Sequence, residues 1–381
     1  MTIEFNKERL LYLLALYKMS EEDLLSLLNE GRKRLVNKEA VFNNFIELSL
    51  LKRIDKIFAK GLNFYCDFSP LKQNSCSSVF FRKTQFGTDL NMESIKVVHE
   101  FETLKQALDA YNKLSKLKIK SDVEHYRIQD NPIDVAKKVR TLIYPGIIKD
   151  ARKFLVALIE KCADHNIFVF EYVETWNKKN KTNIDGFFLK PNMIVLKHHK
   201  HYKREIFTLA HEIGHYLLDE EEIEHVDMMT IDDKVSINDV EKWCNDFAYF
   251  FIMGDTGEEL FNLQNVDSSN DYYMDLVSEL SNKTHISRLA LYTRLYIDKK
   301  ISYSLYNNIR TDLAEQYKSR IEKEKEKQDG KKQFGKTPKP IISPLFLKTM
   351  QYAYFKGVIN EVTFCKRLNI KPNSFERLLW Q

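Results

Sequence analysis

Residues 211 to 215 read His-Glu-Ile-Gly-His, two imidazoles four positions apart with a carboxylate beside the first. On a helix that spacing is about one turn, so both rings project from one face and can reach one Zn²⁺ at about 2.0 to 2.1 Å. Glu212 then points beside the metal rather than at it. There its carboxylate can take a proton from a water that the metal acidifies and pass it on to a leaving amine. The chemistry this spacing suits is metal-assisted hydrolysis of a peptide bond. The competing reading is a pair of surface histidines on a capped helix. The mid-helix position, the strand pair ahead of it and the small Gly214, where a neighbour can pack closely, favour the zinc site.

A catalytic zinc needs a third protein ligand and leaves its fourth position to water. The extended H-E-x-x-H-x-x-G-x-x-H pattern is excluded, because Leu218 stands at its glycine and Glu221 at its third histidine. A carboxylate must serve instead. Glu220, Glu221, Glu222 and Glu224 crowd the end of the helix and read as solvated charge. Glu241, in NDVEKWCNDFAYFFIMG, is the better candidate, on a helix whose Phe247, Ala248, Phe250 and Phe251 form a core face and which can lie across the first. The same residue also stands at N3 after Asn238, the place of the acidic partner in a capping box, and the residues alone leave the two roles evenly matched. His198, His199 and His201, in LKHHKHYK, fall where a strand ends and a helix begins, and read as a hydrated basic turn rather than a second metal cluster. His225 and Tyr202 are candidates to stabilise an oxyanion, with nothing to select between them.

The elements that must carry these groups follow from periodicity and punctuation. Ile206, Leu209, Ala210, Ile213, Tyr216 and Leu217 recur at helical spacing and predict an amphipathic helix, with His211 and His215 on the adjoining stripe beside Thr208 and Leu218. Ahead of it, IDGFFL and MIVLK are strand-like runs joined by a hairpin at Lys190-Pro191-Asn192. NIFVFEYVE reads as a further strand, preceded by helices from Pro132 to Ile143 and from Ile148 to about Ala163. A long polar helix is expected over 91–121, and 61–90 is irregular. Residues 5–60 read as short helices in NKERLLYLLALYK, MSEEDLLSLLNEG and FIELSLLKRIDKIFAKG, with a capping box at Ser20 and Asp23. The first two could open a helix-turn-helix, or an ordinary helical bundle. Helices return after 265, and the charged run around 318–340 reads as a solvated helix tail and linker. The expectation is an α+β chain: a helical N-terminal region over 1–120, a peptidase-like domain over 121–265 and a helical C-terminal region over 266–381.

Composition sets the outer limits. A chain of 381 residues with 44% apolar content can bury a sizeable core. Its 59 Lys and Arg against 54 Asp and Glu are too nearly balanced to argue for nucleic acid by charge alone. The five cysteines, Cys66, Cys76, Cys162, Cys244 and Cys365, form neither a C-x-x-C pair nor a disulfide framework, which fits a reducing compartment. The first two dozen residues are unlike a secretory signal and no run of 18 uninterrupted apolar residues occurs, so a soluble cytoplasmic protein is expected.

FTLAHEIGHYLL followed by EKWCNDFAYFFIMG resembles the ImmA/IrrE family of zinc metallopeptidases. The resemblance rests on Phe207, Thr208, Ala210, His211, Glu212, Gly214 and His215, then on Glu241, Asn245, Phe247 and Ala248. It implies a zincin-like domain in which His211, His215 and Glu241 bind Zn²⁺ and Glu212 is the base. The resemblance spans about residues 132–255, with Gly254 standing where the family often has proline. It further implies a protein substrate, commonly a helix-turn-helix repressor, and a DNA partner if the N-terminal region is a divergent Xre-like helix-turn-helix. The alternative is a DNA-binding regulator or antitoxin-like partner whose peptidase domain is a sensor or scaffold. A third reading is a purely structural zinc.

Overall fold

The computed structural model describes residues 1–17, 19–58, 60–70, 90–174, 180–221, 223, 239–263, 272–328 and 338–380. Glu222, Glu224, His225 and Asn238 lie outside them, and with them one oxyanion candidate and the capping partner of Glu241. The chain divides into two compact units, residues 1–86 with 90–102, and 87–89 with 103–381.

In the first unit, Asn6 caps α1 (Lys7–Leu16) by accepting from the Glu8 N–H. Ser20 opens α2 (Glu21–Asn29) with the expected capping box: its Oγ accepts the Asp23 N–H at 3.0 Å and the Asp23 carboxylate accepts the Ser20 N–H at 3.1 Å. Short α3 (Lys38–Phe42) follows. The helix expected from Phe45 begins only at Leu48. Phe45–Glu47 is a strand, β2, antiparallel to β1 (Thr2–Glu4), with Ile3 opposite Ile46. Ile46 is buried between two exposed neighbours, which is the period of a strand. Then come α4 (Leu48–Phe58) and α5 (Leu62–Tyr65), and α6 (Met92–Ser115) runs on past residue 102.

The second unit is built on a small mixed sheet. Pro132 at the first turn and Asn131 as cap start α7 (Pro132–Ile143), and Asp150 caps α8 (Ala151–Asp164). β3 (Phe168–Tyr172), β4 (Gly186–Leu189) and β5 (Met193–Lys197) lie in the order β3-β5-β4, with β5 parallel to β3 and antiparallel to β4. MIVLK is therefore the central strand, paired on both sides, which is why it reads as an unbroken apolar run.

Helix α9 (Tyr202–Leu218) packs on β4, β5 and α8, and α10 (Asp239–Met253) lies against it. The amphipathic helix expected here is in fact buried on all sides from Glu205 to Leu217, because sheet and helices enclose it together. Gly214 lets α10 approach: a Cβ there would lie 3.1 Å from Cys244 Sγ and 3.2 Å from Cys244 Cα. Gly254, at φ +58°, ends α10 in the left-handed region, and Arg140 from α7 donates to the carbonyls of Phe251 and Ile252 there.

Beyond α10 come α11 (Thr256–Phe261), α12 (Tyr272–Lys283), α13 (Arg288–Ile297), α14 (Tyr303–Gln328), α15 (Pro344–Phe355), α16 (Glu361–Arg367) and α17 (Phe375–Leu379). Residues 318–328, the start of the charged run read as a solvated helix tail and linker, continue α14 as helix. One hydrophobic core takes in side chains from Val123 to Ile309, so the boundary expected near 265 does not separate two cores. No described helix is long and apolar enough to cross a membrane.

Candidate active site

His211 and His215 leave α9 one turn apart and meet Glu241, from the first turn of α10. His211 Nε2 is 3.1 Å from Glu241 Oε2, His215 Nε2 is 3.0 Å from Glu241 Oε1, and the two Nε2 atoms are 3.0 Å apart. All three residues are at most 3% exposed. Four donors at about 2.0 to 2.1 Å around a tetrahedral ion stand about 3.3 Å apart, close to this triangle. Two imidazole nitrogens and a carboxylate are also the donor set a catalytic zinc takes, so the residues present fit the ion.

The surroundings of the triangle orient it. The Nδ1 of His211 faces Asn245 Oδ1 at 3.1 Å, one helical turn after Glu241. A hydrogen held on Nδ1 by that oxygen leaves Nε2 as the lone-pair nitrogen, directed at Glu241 and His215. Burial raises the Glu241 carboxyl, but the imidazoles of His211 and His215 packed against it outweigh burial and hold the group well below the usual carboxylate range.

Glu212 is 2% exposed and points to the sheet side of α9. Gly186, the first residue of β4, lies against it: a Cβ at 186 would stand 2.6 Å from Thr208 Cγ2 and 3.1 Å from Glu212 Oε1. The strand backbone thus approaches the carboxylate as closely as a residue without a side chain permits.

Other expected roles fall away. Tyr202 starts α9, nine residues before His211, so about 14 Å of helix rise separates it from the triangle, and it is no oxyanion donor there. Glu221 is not solvated charge: it is buried and accepts the Lys190 N–H at 2.8 Å, whereas Glu220 is exposed. Of the three histidines of the turn only His201 is exposed, and its Nε2 lies 2.9 Å from the Tyr317 hydroxyl. His198 Nδ1 lies 2.5 Å from Glu171 Oε1, and His199 Nε2 2.9 Å from Asp185 Oδ1. Arg204 completes the second pair through Nε at 3.0 Å from Asp185. Glu205 shares the pocket of His198; burial, with the charge of Glu171 added, pushes its carboxyl up to about 9. Asn245 and Gly186 were not given roles by spacing, although Asn245 stands four residues after Glu241, on its face of the helix.

No curated protein matches the chain. A family model does match, over residues 162–296, and its span takes in β3 to β5, α9 and α10 with the whole triangle. That model is Peptidase_M78, the IrrE N-terminal-like domain, and the matched segment, about a third of the chain, is similar to the zincin-like peptidase domains it describes.

Proposed function

We propose that this chain is a zinc-dependent endopeptidase in which His211, His215 and Glu241 hold the metal and Glu212 is the general base. The observation that carries the reading is the convergence of two imidazole nitrogens and one carboxylate, each within 3.1 Å of the others, beside a buried glutamate. Zinc bound there would lower the pKa of a water to about 7 and polarise the scissile carbonyl. Glu212, the buried carboxylate beside the triangle, would serve as the proton acceptor and then the donor to the leaving nitrogen. Asn245 holds the His211 ring in register throughout, and the burial of the group strengthens every charge interaction within it.

The substrate we propose is a specific cytoplasmic protein, a helix-turn-helix repressor, whose cleavage relieves repression in stress response or in mobile-element or toxin-antitoxin control. The resemblance of the motifs supports this, and any contact with DNA would fall to the N-terminal unit. Co-expression with the products of neighbouring genes tests the proposal. Wild type should cut one of them, Glu212→Gln should cut none while keeping the zinc content of the wild type, and His211→Ala should lose the zinc of this triangle. Full zinc content in Glu241→Ala would remove Glu241 from the ligand set and leave it a structural role.

A further inference from the structure

Six residues before His211, at the opposite end of α9, a second group of ligand-type side chains comes together. Glu171 comes from β3, His198 from the residue after β5 and Glu205 from the first turn of α9, with one ligand atom of each within 4.8 Å of the others. Each carboxylate already accepts one backbone N–H: Glu171 Oε2 from Ile341 at 2.6 Å, and Glu205 Oε1 from His199 at 2.5 Å. Between the two carboxylates stands one imidazole nitrogen, His198 Nδ1, at 2.5 Å from Glu171 Oε1 and 3.2 Å from Glu205 Oε1.

That nitrogen carries at most one proton, so it can compensate one carboxylate and not both. Glu205 is 0% exposed and its Oε2 meets no hydrogen-bond donor. Two carboxylates out of water, with a single partner between them, leave a negative charge that a protein interior does not hold unmatched. The missing component is a positive charge at the point where the three groups converge. One imidazole and two carboxylates are donors that Mn²⁺ and Zn²⁺ both accept.

We propose that Glu171, His198 and Glu205 form a second divalent-metal site, separate from the His211, His215 and Glu241 triangle, which ties β3 and the end of β5 to the start of α9. The site is structural: it fixes the helix that carries the first triangle but contributes no group to it. The competing occupant is a proton shared by Glu171 and Glu205, and the two are distinguished by binding.

The full chain, stripped with a chelator and dialysed against Zn²⁺ alone or Mn²⁺ alone, is assayed for bound metal. His211→Ala removes the first triangle and should still hold one equivalent; adding Glu205→Gln, which keeps shape and the acceptor for His199, should take that to zero. His198→Asn in the His211→Ala background leaves both carboxylates in place and should likewise give zero. Mn²⁺ should raise the melting temperature of His211→Ala and leave that of either double variant unmoved. A folded His211→Ala protein that binds no metal and shows no thermal shift overturns the site and assigns the position to a proton. Failure of the catalytic reading alone would leave the metal content of His211→Ala unchanged.

Discussion

Asn245 decides what His211 can offer. An imidazole ligates through a lone pair, and the hydrogen bond at its far nitrogen determines which nitrogen carries that pair. Replacing Asn245 with alanine should weaken zinc binding about 10- to 100-fold without changing the fold. Competition with a chromophoric chelator measures this, and circular dichroism serves as the control. Asn245→Asp, which keeps an oxygen at the 3.1 Å position, should stay near wild type. An unchanged affinity in Asn245→Ala would mean that the contact is incidental. At this scale the motif was legible because two histidines four apart meet through local helical geometry alone. Glu241 was evenly balanced because one position serves either as third ligand or as capping partner, and only the placement of the two helices separates those uses. The partners of His198 and His199 were illegible. Glu171 and Asp185 stand 27 and 14 residues away, and nothing in LKHHKHYK marks a turn whose charges are matched from other strands.

The elements were read best where punctuation is chemical. Pro132 starts its helix as expected, the next helix begins at Ala151 behind its cap Asp150 rather than at the expected Ile148, and the hairpin at Lys190-Pro191-Asn192 joins the runs it was expected to join. Phe45–Glu47 was missed because three residues are too short for a period to declare itself ahead of a helix. The pairing of β5 on both edges was missed because strand order is set by contacts across the chain. Strand and helix meet most closely at Gly186, and a side chain there must strike α9. Gly186→Ala should destabilise by about 1 to 3 kcal/mol through overpacking, and in addition lower cleavage by displacing Glu212. Thr208→Ser deletes the Cγ2 that the new methyl would meet at 2.6 Å, so the double variant should recover a large part of the lost stability. Urea unfolding of the wild type, the two single variants and the double variant reads this out. A fully additive double variant would show that the clash is relieved elsewhere.

At the scale of the molecule, the regions on either side of residue 265 share one core. Lys203 on α9 donates to the Ser281 carbonyl at 2.5 Å, and Arg294 on α13 pairs with Asp246 on α10. A boundary drawn from composition cannot register side chains that fill a common interior from both sides. The same unit carries a charge that ties its stability to pH. Asp185 is buried, which raises its carboxyl, yet the hydrogen bond from His199 and the charge of Arg204 bring it down to about 2, below its ordinary 3.8. A group held lower in the folded chain stabilises above its unfolded pKa and loses that contribution as pH falls toward the folded value. Asp185→Asn should therefore cost about 2 kcal/mol at pH 7 and about half as much at pH 3. Urea midpoints at the two pH values test it, and a cost that grows in acid would refute the assignment.

The three groups of the first triangle come from two helices, and an unfolded chain has no means of holding them together. If zinc is the ligand, stability is then a function of zinc availability. Each tenfold rise in free ion above the dissociation constant adds about 1.4 kcal/mol in favour of the folded form. A cell short of zinc would hold this protein in a looser population, exposed to its degradation machinery, so its abundance would follow the supply of the ion that its chemistry requires.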